Sequence, residues 1–379
     1  MMENRHFDLA IAGGGLAGLS LAILAAEAGY GVVLFEKGTY PFHKVCGEYI
    51  SMESWGFLER LGVPLSGWQL PRIGQLQISD SGGSLHSFAL SPGGFGISRY
   101  KLDGFLYEKA LQKGVRILTA TTLRDAIFQK EEFTLPTDAG TYTARLVAGC
   151  YGKRSNLDRK WDRPFILQRK GKLQNYIGVK YHIVFAHPRD TIALHNFADG
   201  YCGISGIEND SSCLCYLTTA ANLQKSGNLL STMEQQILYK NPRLKEIFEN
   251  ARFLTREPYT ISQISFARKS PVEGHVLMAG DAAGMITPLC GNGMSMAMQA
   301  GEMAFRHMDN FLQGNTSRTG MEENYTKNWN SQFGKRLFYG RNVQRFFGKN
   351  TVTDLFLKSM ERFPAVARKI IDATHGEAF

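Results

Sequence analysis

Gly13, Gly15 and Gly18 stand in the spacing GxGxxG, and the chemistry that spacing serves is the grip on a diphosphate. The first glycine lets the chain turn sharply, the second has no Cβ to keep a phosphate from the backbone, and the third lets a helix lie close on a strand. The flanks fit the same purpose. The apolar run 9–12 reads as a buried strand, and Leu16 and Ala17 open a helix whose free N–H groups and positive dipole end face the phosphates. Residues 32–35 form a second buried strand that ends on Glu36, 18 residues after Gly18. A carboxylate there accepts hydrogen bonds from ribose hydroxyls and would repel a 2′-phosphate, so the unit predicts FAD or NAD rather than NADP.

A second constellation narrows the choice. The buried strand at 275–280 ends on Gly280 and Asp281, where an acid can bond sugar hydroxyls. The turn Gly291, Asn292, Gly293 then leads through Met294 into a long helix. Its N-terminus could stabilise the negative charge that a reduced isoalloxazine acquires near N1 and O2. A strand followed by Gly-Asp is common by itself; paired with the first motif it selects a flavin. Cys46, in the segment KVCGE that Lys44 opens, could tune or gate that flavin with a thiol pKa lowered beside the lysine. The alternative is a small buried hydrophobe. His182, His195 and Tyr181 could donate protons, but core or surface roles are the stronger expectation, since nothing in the sequence pairs them with a partner.

The elements that must position these residues follow from the patterning. The 379 residues, 44% of them hydrophobic, are enough for more than one core. After Glu36 a loop leads to a helical pattern at 52–61, a strand pair at 73–79 and 85–90 that could cover a substrate, and a helix behind Arg99. Strands follow near 115–118, 123–128, 133–135 and 142–148. Longer alternating runs at 176–185, 191–197, 201–207 and 213–219 suggest an antiparallel sheet with one face buried. A helical insert at 229–251, with Pro242 inside it, precedes the return to the nucleotide unit, and helix 294–312 leads into a helical tail.

Composition limits the classes of function. No apolar stretch reaches the length of a membrane span, and residues 1–8 lack the order of a signal peptide, so a cytoplasmic location is expected. Cys46, Cys150, Cys202, Cys213, Cys215 and Cys290 show no metal-ligand spacing, which predicts reduced thiols and no metal site. Cys213 and Cys215 would share one face of a strand, a poor geometry for a disulfide. The net charge is +9, and the segment 331–369 carries nine Lys and Arg against Asp354 and Glu361. Its apolar residues Phe333, Leu337, Phe338, Val343, Phe346 and Phe347 lie among the bases, so the tail could rest on an anionic membrane or form a helical cap. No nucleic-acid motif accompanies the charge.

In these motifs the chain resembles the FAD-dependent p-hydroxybenzoate-hydroxylase-like superfamily, and its geranylgeranyl reductase group most. The resemblance rests on GxGxxG with Glu36, Arg99 in SRYKLDGFLYEKA, GCYGKRS, Gly280-Asp281 and KVCGE, and it spans about the first 310 residues in outline. It implies an α/β chain: a Rossmann-like FAD-binding domain of the GR2 type, an inserted mostly antiparallel substrate domain and a helical C-terminal tail. The expected divisions are 1–70, 97–160 and 255–312 for FAD, 71–96 and 161–254 for substrate, and 313–379 for the tail. It also implies that Asp281 contacts the ribityl chain, that Arg99 lies along the FAD linker, that Cys46 lies near the flavin ring, and that Leu123 and Met294 join the FAD contacts.

The family's GADGxxS motif is altered here, because Tyr151 stands in place of the aspartate associated with FAD and NAD(P)H engagement. NAD(P)H is therefore a candidate electron donor that has lost one expected contact. The WxWxIP run of flavin halogenases is absent, with Trp55, Trp68, Trp161 and Trp329 far apart, which argues against halogenation. The leading expectation is reduction of C=C bonds in a prenyl or lipid chain. Hydroxylation of a phenolic or polyketide-type substrate is the alternative, and a non-catalytic flavin- or lipid-binding protein the third.

Overall fold

A computed structural model describes residues 5–167, 176–264, 266–348 and 350–379. The chain opens with β1 (His6–Ala12), α1 (Leu16–Glu27) and β2 (Val32–Phe35). Next come β3 (Tyr49–Ser51), α2 (Trp55–Arg60), the hairpin β4 (Arg72–Ser79) and β5 (Leu85–Gly96), α3 (Arg99–Gln112) and β6 (Arg116–Leu118). A meander of β7 (Ile127–Gln129), β8 (Glu132–Thr137) and β9 (Gly140–Gly149) leads to the short helices α4 (Asn156–Lys160) and α5 (Pro164–Leu167).

β1, β2, β6 and β9 form a parallel sheet in which Leu9 is opposite both Val32 and Leu146. β16 (Val272–Glu273) and β17 (Val276–Met278) extend it past β9. Parallel strands covered on both faces read as continuous apolar runs, which is why 9–12 and 32–35 carry no alternation. α1 is buried from Leu16 to Ile23 and again at Ala25, as befits a helix apolar on all sides. It lies against α9 (Gly293–Leu312) so closely that a Cβ on Gly301 would stand 2.6 Å from the carbonyl oxygen of Ala17.

The second sheet takes β10 (Tyr176–Val184), β11 (Thr191–Phe197), β12 (Gly200–Gly206), β13 (Ser212–Thr219), β14 (Arg252–Phe253) and β15 (Tyr259–Ile264), with β3, β4 and β5 beside them. Its ladders are antiparallel except where β11 runs parallel to β4. The helices α6 (Ala220–Lys225), α7 (Leu230–Gln236) and α8 (Pro242–Asn250) cover one face. The expected single helix at 229–251 is thus divided. Pro242 has no N–H to give and starts α8 at its first turn, capped by the Asn241 side chain. The strand expected at 123–128 is reduced to a bridge from Leu123 to Thr137 and then β7.

The tail comprises α10 (Arg318–Val343), α11 (Asn350–Arg362) and α12 (Pro364–Asp372). α10 buries Met321, Tyr325, Trp329 and Phe333 in the core of the first sheet, and the Tyr325 hydroxyl donates to the Met278 carbonyl at 2.6 Å. The chain then turns onto the second sheet, where Phe347 and Leu357 pack with Ile78 and Leu194. None of the helices searched among the described residues is long and apolar enough to cross a membrane.

Candidate active site

The glycine loop sits between β1 and α1, as the spacing requires. Gly13 has φ +104°, and a Cβ on Gly18 would stand 2.0 Å from the Gly13 carbonyl oxygen. Glu36 is buried, and its carboxylate accepts from the N–H groups of Gly14 at 2.8 Å and Gly38 at 2.9 Å. The Tyr40 hydroxyl donates to the Gly14 carbonyl. Leu123 is buried two residues beyond Thr121, whose N–H donates to the Glu36 carbonyl at 3.0 Å.

Two cations converge on Gly15. A Cβ there would lie 3.5 Å from Lys44 Nζ and 3.9 Å from Arg99 Nη2, with nothing else that close among the described residues. Arg99 begins α3 behind its cap Ser98 and forks onto Asp103 one turn later, at 2.6 and 2.7 Å, while Lys44 reaches the same carboxylate at 3.3 Å. Burial pushes the Asp103 carboxyl up, but Arg99 and Lys44 outweigh it and hold it below the ordinary range. Sequence reasoning missed Asp103, though an acid four residues after an arginine on a helix was a readable pair.

KVCGE lies under the second sheet. Glu48 is fully buried with φ +54°, and its carboxylate binds Lys180 Nζ at 2.5 Å, His182 Nε2 at 2.6 Å and the Arg99 N–H at 2.8 Å. Burial raises its pKa, and the bonds to His182 and Lys180 more than reverse that, leaving it lowered. His182 therefore has the partner the sequence could not supply, whereas His195 bonds Ser79 and Tyr181 bonds Glu234, away from this cluster. Cys46 does not have the expected low pKa. Lys44 is engaged with Asp103, and burial together with the Glu48 charge pushes the thiol up. Cys213 donates its S–H to the Cys46 carbonyl, and all six cysteines are free. Glu48, His182 and Cys213 bring ligand atoms within 4.8 Å of one another, but the Lys180 ammonium already balances the carboxylate.

The third wall is the start of α9. Gly280 has φ +62°, and Asp281 beside it lines a small hollow with Gly293, Met296, Ala297 and Trp329. Burial raises the Asp281 carboxyl, against the pull of Lys269, Arg99 and Lys153. Gly291 has φ +63°, Asn292 caps the helix, and Met294 packs into the core in its first turn. Asn292 Oδ1 is buried at this terminus without a hydrogen-bond partner among the described residues, while the Asn292 and Ser295 side chains lie beside the Glu53 carboxylate. On the far side of Gly291 opens a larger apolar cavity, about 640 Å³ with the open solvent at its mouth included, walled by Leu76, Ile78, Leu90 and Leu194 from the second sheet and bordered by Phe347 and Phe356. Among the described residues, no Asp, Glu, Lys or Arg lines it.

Residues 6–331 match a family described as FAD binding domain. The chain belongs to that family. As an FAD-binding family enzyme it is an oxidoreductase, and the donor set fits the cofactor: Glu36 would take a ribose, Lys44, Arg99 and the α1 terminus at Gly15 would take the diphosphate, and Asp281 would face the flavin half. Among relatives, conditioned medium factor receptor 1 of Dictyostelium discoideum is 24% identical, covering 91% of this chain and 71% of its own. Digeranylgeranylglycerophospholipid reductase 2 of Methanopyrus kandleri is 22% identical, covering 92% and 89%. In structure, the flavin-dependent brominase Bmp2 superposes with TM-score 0.77 at 19% identity over 97% of this chain and 93% of its own. A geranylgeranyl bacteriochlorophyll reductase-like protein of Thermoplasma acidophilum gives TM-score 0.75 at 17% identity over 98% and 100%. Such likeness establishes the shared fold.

Tyr151 occupies the position of the missing acid. Its hydroxyl donates to Asp158 at 2.8 Å and accepts from Arg163 at 3.1 Å, and Arg163 also donates to the Ala282 carbonyl at 3.0 Å. The acid beside Tyr151 is Asp158, seven residues further along the chain.

Proposed function

We propose that this FAD-dependent enzyme saturates a C=C bond in a prenyl or lipid chain, in the cavity between the second sheet and the tail helices. When bound and reduced, FAD would supply the hydride for that reduction, with the proton taken from an acid or from solvent. The observation that carries the reading is the lining of the cavity beside Gly291, aliphatic and aromatic side chains without a formal charge. Such a lining gains free energy from apolar area and offers little to a charged substrate. Phe347, Phe356 and Met360 from the tail supply the wall opposite the sheet. Glu48, pinned between Lys180 and His182, fixes KVCGE against the second sheet, and Lys44 and Arg99 fix the diphosphate end. NAD(P)H remains our candidate for the electron donor.

The test is to fill the cavity. Leu194→Trp should leave the flavin spectrum unchanged and weaken binding of a long-chain isoprenoid at least tenfold, since displacing a buried side-chain-sized part of the ligand costs about 1.5–3 kcal/mol. Unchanged affinity would place the substrate elsewhere.

The outer face of the tail suits an anionic lipid surface, from which such a substrate would be drawn. Leu355, Phe338 and Phe363 are 72%, 58% and 55% exposed, and Lys335, Lys358, Arg362, Arg368 and Lys369 are exposed around them. Co-sedimentation with vesicles rich in anionic lipid at low salt is expected, and its absence would remove this part of the reading.

A further inference from the structure

Two polar atoms at the apolar cavity have no hydrogen-bond partner among the described residues: Tyr49 Oη, on a side chain 4% exposed, and His375 Nε2. Burying either unbonded is costly, and the rest of the lining is almost wholly apolar, so a ligand group is the natural partner. Their chemistry is complementary. His375 Nδ1 lies 2.9 Å from the Ile371 carbonyl and 3.2 Å from Thr374 Oγ1, whose own hydrogen goes to that carbonyl at 2.7 Å. Both neighbours of Nδ1 can therefore only accept from it, so Nδ1 carries the hydrogen and Nε2 is a bare acceptor. Burial and the Arg336 guanidinium keep the ring neutral. Tyr49 Oη, in contrast, has a hydrogen to give.

The residues that carry these atoms border one end of the cavity. The Tyr49 ring flanks Gly291, where a Cβ would stand 3.0 Å away, and Asn292 donates to the Thr374 carbonyl at 2.8 Å. That end is the loop that opens α9. The other walls run out along Leu76, Ile78 and Ile192 toward Phe356.

We propose that the molecule taken by this cavity is an apolar chain bearing a hydroxyl group, oriented with the hydroxyl toward Gly291, where it donates to His375 Nε2 and accepts from Tyr49 Oη. A carbonyl would satisfy Tyr49 alone, and a hydrocarbon neither. The assignment rests on the reading of the cavity as the substrate site, and it adds the functional group and the direction in which the chain lies.

The experiment uses the holoenzyme and an apolar fluorescent dye bound in the cavity, displaced by a long-chain isoprenoid alcohol or by the hydrocarbon of the same skeleton. The alcohol should displace it about tenfold better, the effect of two net hydrogen bonds. Tyr49→Phe and His375→Leu should each remove roughly threefold of that preference, and the double variant all of it, with hydrocarbon binding unchanged. Equal displacement by alcohol and hydrocarbon, as a retained water would give, overturns the hydroxyl assignment and leaves the apolar cavity standing. A preference that survives both substitutions also overturns it. Displacement by neither compound overturns the cavity reading and this assignment together.

Discussion

Gly15→Ala separates cofactor binding from folding. Gly15 has φ −83° and ψ −174°, a conformation open to alanine, and its added Cβ would meet Lys44 Nζ at 3.5 Å and Arg99 Nη2 at 3.9 Å, ordinary contact distances. The protein should therefore fold normally. The methyl would occupy the point where both cations and the α1 terminus meet a diphosphate. A charge-assisted hydrogen bond contributes about 1.5–3 kcal/mol, so losing one or two weakens FAD binding by roughly tenfold to about twenty-thousandfold. Titration of FAD into apoprotein, followed by flavin fluorescence, measures this, with urea unfolding of the apoprotein expected within about 0.5 kcal/mol of the parent. Gly18→Ala is the contrast. Its Cβ would stand 2.0 Å from a backbone oxygen, so stability and FAD binding should fall together. FAD affinity within threefold of the parent in Gly15→Ala, or loss of its fold, would refute the placement of the diphosphate.

Asp103→Asn should destabilise the protein by about 3–5 kcal/mol in urea unfolding, because it leaves the buried Arg99 without its counter-charge; a change under 1 kcal/mol would contradict this. Glu48 has a depressed folded pKa, so its stabilisation is full above its unfolded value near 4.3 and lost as pH falls through the lower folded value. Glu48→Gln should flatten that acid limb of stability, and an unaltered slope below pH 4 would argue against the pairing with Lys180 and His182. His195 is held neutral by burial, its pKa lowered to about 3. Its neutral ring contributes in full above about 6.5, and by pH 5 the loss reaches about 2 kcal/mol. His195→Gln should remove that part of the pH dependence between 7 and 5, as followed by urea midpoints.

What was legible in the sequence was what lies close together along the chain. The glycine loop, its two strands and Glu36 lie within one supersecondary unit, and Gly280 to Met294 within another, so local spacing carried them. The elements that failed did so for local reasons as well: Pro242 starts a helix rather than sitting inside one, and 123–128 has only a bridge to hold it as strand. The rest of the site is assembled across distance. Glu48 meets Lys180 and His182 because β10 lies over KVCGE, and Tyr49 and His375 line one cavity because the tail returns over β3 and the Gly291 loop. No periodicity announces such meetings. The tail was readable as amphipathic, yet only its packing divides it into an inner face that roofs the cavity, through Phe347 and Met360, and an outer face that exposes Leu355 and Phe363.

The most direct measurement is the mass of the product formed in one turnover. Enzyme with its FAD reduced anaerobically, mixed with a long-chain isoprenoid alcohol, should return a molecule heavier by two hydrogens per turnover, and Leu194→Trp should lower the yield of that product at limiting substrate while keeping the flavin. A product that appears only on admitting O₂ and gains an oxygen atom would contradict the account and make the enzyme a hydroxylase.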